Sequence, residues 1–459
     1  MLAPPRPRPV LALLPALVLA GCVNLAPDYQ RPEPAVPQAL AASAASSDAD
    51  PARLGRARFF TDRQLQAVVE LALANNRDLR VAALNVQRAR AQFRVQDAQR
   101  LPGVNLSAAA TQAKGGDSVS AGLALSAFEL DLFGRVRNLS EAALQSWLAT
   151  EAGQQSTHIS LVAETANAWL TLAADLARQH LALQTLDSRR ASFALDERRH
   201  ALGAITGLAL AQSQSQLESA RLDVAGYATQ VEQDRHALEL LLGTALPAEL
   251  TPDAGRNLAQ ASLLIELPAG VPSELLQRRP DVLQAEHQLQ ASVANIGVAR
   301  AAFFPRISLT ASAGSASREL SGLFKSGSGS WSFGPSLSLP LFDGGANAAT
   351  LESARLDRDI AVAQYDKAIQ TAFREVADAL SARATLAERL SAQQALVASA
   401  ERQLNLAEAQ YRNGSTSMLE LLDARRTLYA AQQSLIALRL TEQSNRLELY
   451  KVLGGGWQA

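Results

Sequence analysis

The side chains able to ligate a metal, attack a carbonyl or carry a proton are scattered along this chain rather than gathered. The five histidines, His158, His180, His200, His236 and His287, stand at least 20 residues apart. Zinc sites announce themselves by ligands a few residues apart or by a HExxH pair on one helix turn. Neither occurs, so each histidine is expected as an exposed helix residue without a ligand. Gly327-Ser328-Gly329 has the spacing of neither a nucleophile elbow nor a phosphate loop. Asp423 and Arg426, one helical turn apart, can form an ion pair, which as an exposed i, i+3 contact contributes only a few tenths of a kcal/mol. The one cysteine, Cys22, has no partner thiol. No catalytic residue, metal or cofactor is expected, and an enzyme is set aside.

What surrounds Cys22 suggests its chemistry. Arg6 and Arg8 precede an apolar run from Val10 to Leu19, the layout of a secretory leader too short to span a bilayer. The run closes in Leu19-Ala20-Gly21-Cys22, which resembles the bacterial lipobox, whose cysteine is acylated and becomes the mature first residue. An exported chain has no reason to avoid disulfides, so a lone thiol here reads as a lipid attachment point. Val23 is not aspartate, which by resemblance to bacterial lipoproteins favours sorting to the outer membrane. Removing residues 1–21, with Arg6 and Arg8, takes the formal charge from -1 to -3. That charge excludes a nucleic-acid binder.

The elements that must carry these residues follow from proline and from a repeat. Ten of the 19 prolines lie in the first 51 residues, none falls between Gly103 and Leu246, and none follows Pro340, leaving two long stretches free to be helix. Asp78 to Ala108 matches Asp281 to Ala311 at an offset of 203; Leu130, Phe133 and Asn138 match Leu339, Phe342 and Asn347 at 209; Gly203, Leu208 and Leu217 match Gly414, Leu419 and Leu428 at 211. Three blocks in one order mean an internal duplication. Each half reads as helix, proline break, two strands, a very long helix, a glycine break and a second long helix. The chain divides into a signal peptide (1–21), a lipid-anchored tether (22–60), a first repeat (61–258), a linker (259–270) and a second repeat (271–459).

The first helix opens with Thr61-Asp62-Arg63-Gln64, a capping-box pattern. After Pro102 the period becomes two: Val104, Leu106, Ala108 and Ala110, then Val119, Ala121, Leu123 and Leu125, with a phase shift near Ala127 that predicts a bulge. Half two repeats this with Ile307, Leu309, Ala311 and Ala313, a Gly/Ser-rich loop from Gly314 to Ser330, and Trp331, Phe333, Leu337, Leu339 and Leu341. Strands of this kind, with the aromatics Trp331 and Phe333 at an interface, suit an outer-membrane barrel. From Ala346 to Asn413 there is neither proline nor glycine; at about 1.5 Å per residue an unbroken helix there is roughly 100 Å long. Ile369, Phe373, Val376 and Leu380 in it, and Leu421, Leu428 and Leu435 beyond it, give coiled-coil seams. Four strands cannot close a barrel, since the smallest single-chain barrels use about eight. Two copies would give a filled interior and three could leave a lumen.

The segments Pro27-Asp28-Tyr29-Gln30-Arg31-Pro32, Arg278-Arg279-Pro280-Asp281-Val282, Ala301-Ala302-Phe303-Phe304-Pro305-Arg306-Ile307, Leu339-Pro340-Leu341-Phe342-Asp343-Gly344-Gly345 and Leu453-Gly454-Gly455-Gly456-Trp457 resemble those of the lipidated outer-membrane factor family, the exit ducts of resistance-nodulation-division efflux pumps. The resemblance implies an α+β membrane protein: a homotrimer with a twelve-stranded β-barrel, four strands per chain, continued by a long α-helical coiled-coil tunnel in the periplasm. It implies a periplasmic adaptor protein and an inner-membrane pump as partners, and outer-membrane lipid around the barrel. It also places the hairpin tips, Gly203 and Gly414, at the adaptor-facing mouth, and Tyr411, Asp423 and Arg426 at the contacts that hold the tunnel closed. In half one Gln212 and Ser215 stand where Asp423 and Arg426 stand in half two, so the repeated fold does not itself require the charge pair. A duct for type I protein secretion is the alternative within this fold. A structural envelope lipoprotein is the rival from another class, but it has no use for the two alternating strand pairs.

Overall fold

The computed structural model describes residues 23–33, 36, 56–114, 116–253 and 277–455. The leader, Cys22, the 259–270 linker and the last residues of the glycine-tryptophan run lie outside them. A short helix α1 (Arg56–Phe59) leads to α2 (Arg63–Asn75) and α3 (Arg77–Ala98), strands β1 (Val104–Thr111) and β2 (Ser118–Leu130), and helices α4 (Arg135–Ala201) and α5 (Gly207–Leu242). The order then recurs with α6 (Pro280–Ala301), β3 (Arg306–Ser317), β4 (Gly329–Ser338), α7 (Ala346–Arg412) and α8 (Met418–Val452). The two longest helices, α4 and α7, have 67 residues each. No described helix is long and apolar enough to cross a membrane.

The chain divides into two compact units, each drawing on both halves of the sequence. One comprises Leu84–Ala152 and Leu283–Ala368 with residues 23–33. It holds an antiparallel sheet of order β1-β2-β3-β4. The bulge expected near Ala127 is present: pairing of β2 with β3 slips between Leu125 and Phe128, and Ala127 has φ 45°. Below the sheet, Phe93 of α3 stacks on Trp147 of α4 with ring centroids 5.7 Å apart.

The second unit comprises Ala35–Ala83, Gly153–Val282 and Ile369–Ala459. Its helices pack through alanines and occasional large side chains: Ala173 and Ala174 of α4 meet Ile436 and Leu440 of α8, and Phe59 stacks on Tyr450 at 3.9 Å. Arg279 ties three segments together, pairing with Asp281 and Glu375 at 2.7 Å each and donating to the Val452 carbonyl at 3.0 Å.

Four expectations are corrected. The cap of α2 is Asp62, one residue later than the box pattern places it, and its carboxylate accepts from the Leu65 N–H at 2.9 Å. The capping box occurs instead at Ser417 and Glu420, opening α8. Strand β4 ends at Ser338, before Leu339 and Leu341, because Pro340 cannot extend a ladder, and β3 runs to Ser317, into the expected loop. His180, His200 and His236 are exposed, but His158 and His287 are half-buried, His287 bonding Gln145 at 2.7 Å.

Candidate functional site

Register sorts the sheet into two faces. Val104 opposes Leu125, Leu106 opposes Leu123, Leu309 opposes Pro335, Ala311 opposes Phe333 and Ala313 opposes Trp331, so one face is apolar. Trp331 and Phe333 stand on it, 80% and 61% exposed. Such side chains on a single chain need lipid or another subunit to cover them. The other face carries hydroxyls: Ser308 bonds Ser336 and Ser312 bonds Ser332, each at 2.8 Å, with Asn105, Ser107, Ser118 and Ser120 on the neighbouring strands. The bulge keeps this sorting intact, since beyond it Phe128 and Leu130 oppose Leu309 and Ile307 while Glu129 opposes Ser308. The outer sides of β1 and β4 have no partner strand among the described residues.

At the helix end of the sheet Glu129 is held by Arg135 at 2.6 Å and approached by Arg306 at 3.5 Å, and Phe133 stacks on Phe304 at 4.6 Å. Residues 23–33 begin here. The Val23 N–H donates to the Leu132 carbonyl at 3.0 Å, Asn138 donates to Asn24 at 2.9 Å, and Arg300 donates to the Leu25 carbonyl at 3.0 Å. Further along, Arg31 and Tyr29 both donate to the Glu286 carboxylate. A Cβ on Gly297 would fall 2.3 Å from Asn138 and 2.8 Å from Ala26, so glycine is what lets this segment lie against α6. The described chain thus starts, at Val23, on a backbone pinned two residues past the end of β2.

Both glycine breaks close a helix in the same way. Gly203 and Gly414 have φ 71°, a left-handed conformation open to glycine at little cost. Gly203 N–H donates to the His200 carbonyl and Ala204 N–H to that of Arg199; Gly414 N–H donates to Tyr411 and Ser415 N–H to Gln410. This double closure is a Schellman motif, followed by Thr206 and Ser417 as caps of the next helices. Leu202, Leu208 and Leu419 stand in solvent at these tips.

Asp423 and Arg426 pair at 2.6 Å, with side chains 51% and 76% exposed. Within one chain they touch only each other among the contacts described. Tyr411 lies under the Arg199 guanidinium at 5.9 Å and packs on the Ala407, Leu421 and Ala424 cluster. Sequence reasoning missed Arg425, which reaches across helices to Ser192 at 3.0 Å and Glu408 at 3.1 Å. Its spacing of four from Leu421 put it beside the seam, and that was the available signal.

The sequence profile of outer membrane efflux proteins matches residues 68–244 and 271–455. The chain belongs to the outer membrane efflux protein family. The probable efflux pump outer membrane protein TtgC of Pseudomonas putida is 46% identical over 459 residues, covering 96% of this chain and 94% of the relative. The cation efflux system protein CusC of Escherichia coli is 43% identical over 464 residues, covering 98% and 99%. Among solved structures, the open state of the MtrE outer membrane channel of Neisseria gonorrhoeae has a TM-score of 0.86 at 36% identity, covering 95% of this chain and 99% of that one. Family membership, outer-membrane location and a role in efflux therefore agree with the expectations drawn from the motifs, and the fold of long helices with four strands per chain is the one these channels share.

Proposed function

We propose that three copies of this chain close a twelve-stranded barrel and form the exit duct of a tripartite pump expelling drugs or other small toxic compounds. The observation that carries the reading is the four-stranded sheet, apolar on one face, hydroxyl-bearing on the other and, among the described residues, unpaired at both edges. Open edges are not tolerated in lipid, so neighbouring copies must satisfy β1 and β4. Twelve strands leave a lumen for the hydroxyl face, whereas eight are filled by their own side chains.

A lipid on Cys22 anchors each copy beside the barrel. The tips at Gly203 and Gly414, with their exposed leucines, meet a periplasmic adaptor, which joins the duct to an inner-membrane resistance-nodulation-division pump. Tyr411, Asp423 and Arg426 form the gate. Three Asp423 carboxylates near an axis repel one another unless arginines bridge them, which makes closure dependent on Arg426 and on ionic strength.

Native mass spectrometry in detergent and planar-bilayer conductance test the reading together. The expected result is a trimer of small conductance that opens several-fold in Asp423→Ala with trimer yield unchanged. A stable monomer or dimer overturns the barrel. Wild-type conductance of Asp423→Ala across a salt series removes the gate.

A further inference from the structure

Arg189 on α4 is 93% buried by area, with only 7% of its surface accessible, and its Nη1 has no hydrogen-bond partner. A buried charge without a counter-charge costs several kcal/mol, so native structures supply one. The charge that acts on it is another cation, Arg425 of α8. The two face the same turn of α4, because Arg425 donates at 3.0 Å to Ser192, three residues beyond Arg189. The carboxylates nearby are already engaged. Glu408 pairs with Arg425 at 3.1 Å, and Asp196, itself buried, stands 3.9 Å from Arg199. Beside them opens a pocket of about 240 Å³ lined by Ser192, Asp196, Arg199, Glu408, Tyr411 and Arg425. With Arg412 also on its rim, three arginines and two carboxylates line it, while Arg189 lies outside the lining, three residues before Ser192 on the same helix.

We propose that Arg189 and Arg425, with the Ser192 hydroxyl between them, bind a small inorganic anion that neutralises the uncompensated guanidinium and holds α4 against α8. A guanidinium fork matches an oxyanion with two parallel donors and also accepts a halide. A small ion can reach Arg425 and Ser192 by way of the pocket, and no carboxylate pairs with Arg189 among the contacts described. Burial first, and then the Arg425 charge, already push the Arg189 guanidinium down to about 10, the direction expected of a cation that lacks its anion. The inference does not depend on the gate, since neither Asp423 nor Arg426 takes part.

The test exchanges gluconate, too bulky for the pocket, for bromide or sulfate at fixed ionic strength and follows thermal unfolding of the full-length protein in detergent. Wild type should show a saturable rise in unfolding temperature that Arg189→Met loses. Arg190→Met, whose side chain is 59% exposed on the same helix, should keep it. Should Arg189→Met fail to fold, anomalous diffraction from wild-type crystals grown in bromide still decides, with a peak between Arg189 and Arg425 expected. Equal stability of wild type in all anions overturns the site. So does a map in which a carboxylate of another copy occupies Arg189.

Discussion

Asp175 of α4 and Asp234 of α5 bring two carboxylates together, an arrangement that favours a proton shared between them. Asp175 is buried and neutralised by Arg178 at 2.5 Å, while Asp234 accepts from Gln230 on one oxygen and has its other oxygen buried and unpartnered. Burial, and then Asp175, raise the Asp234 carboxyl from 3.8 to about 6. The folded state therefore binds this proton more tightly than the unfolded one. Its contribution to stability is greatest at low pH and is lost as pH rises from about 4 through 6. Asp234→Asn supplies a permanent N–H donor to Asp175 without charge. The variant should unfold at a higher temperature than wild type at pH 7.5, and the difference should shrink by pH 5, read from thermal melts at both. A pH-independent difference would remove the shared-proton account. This pairing was not legible in the sequence, nor was Arg189 facing Arg425. Helical periodicity says which residues share a face of one helix but not which face of another helix they meet. The Asp423 and Arg426 pair was legible because both residues lie on one turn.

The glycine breaks were also legible, since two long runs without proline end in Gly203 and Gly414 and restart at Thr206 and Ser417. The strands and the bulge followed from a period of two and its phase slip. Less visible was the break at Asn76, which caps α3 through the Leu79 N–H and donates to the Leu241 carbonyl. Asparagine is a preferred N-cap, but only the tertiary acceptor makes it a joint here. A Cβ on either tip glycine meets nothing within 4 Å, so a substitution there is opposed by backbone conformation alone. Valine at Gly414 should cost about 1–2 kcal/mol through the positive φ. Asparagine tolerates that conformation and leaves the turn in place while adding a side chain to the tip. Gly203→Asn and Gly414→Asn should therefore assemble normally but lower drug tolerance if an adaptor docks there. Unchanged tolerance in both, in a susceptibility assay, would leave these glycines as turn formers only.

Duplication of a two-strand unit, with too few strands to close alone, made an oligomer legible at the scale of the whole molecule. The course of the N-terminal segment was not, because a stretch rich in Pro, Ala and Ser reads as a free spacer. Residues 23–33 are instead held by backbone and side-chain bonds to Leu132, Asn138, Glu286 and Arg300. Acylation of Cys22, as proposed, would add a lipid to a chain whose sheet already presents an apolar face. Acyl chains used singly give marginal, reversible membrane binding, whereas the sheet offers Leu106, Leu123, Trp331, Phe333 and Leu337 from each copy, all more than half exposed on the single chain. The barrel should then dominate both insertion and assembly, with the lipid adding speed or orientation. Cys22→Ser is expected to lose palmitate labelling and the acyl mass, yet to fractionate with the outer membrane and give trimer at the wild-type level. Arg31→Ala in that background should loosen the segment and raise its protease sensitivity without releasing the protein, because the Glu286 contact orders the segment rather than the barrel. Loss of trimer in Cys22→Ser alone would mean that the lipid, and not the strand edges, brings the three copies together.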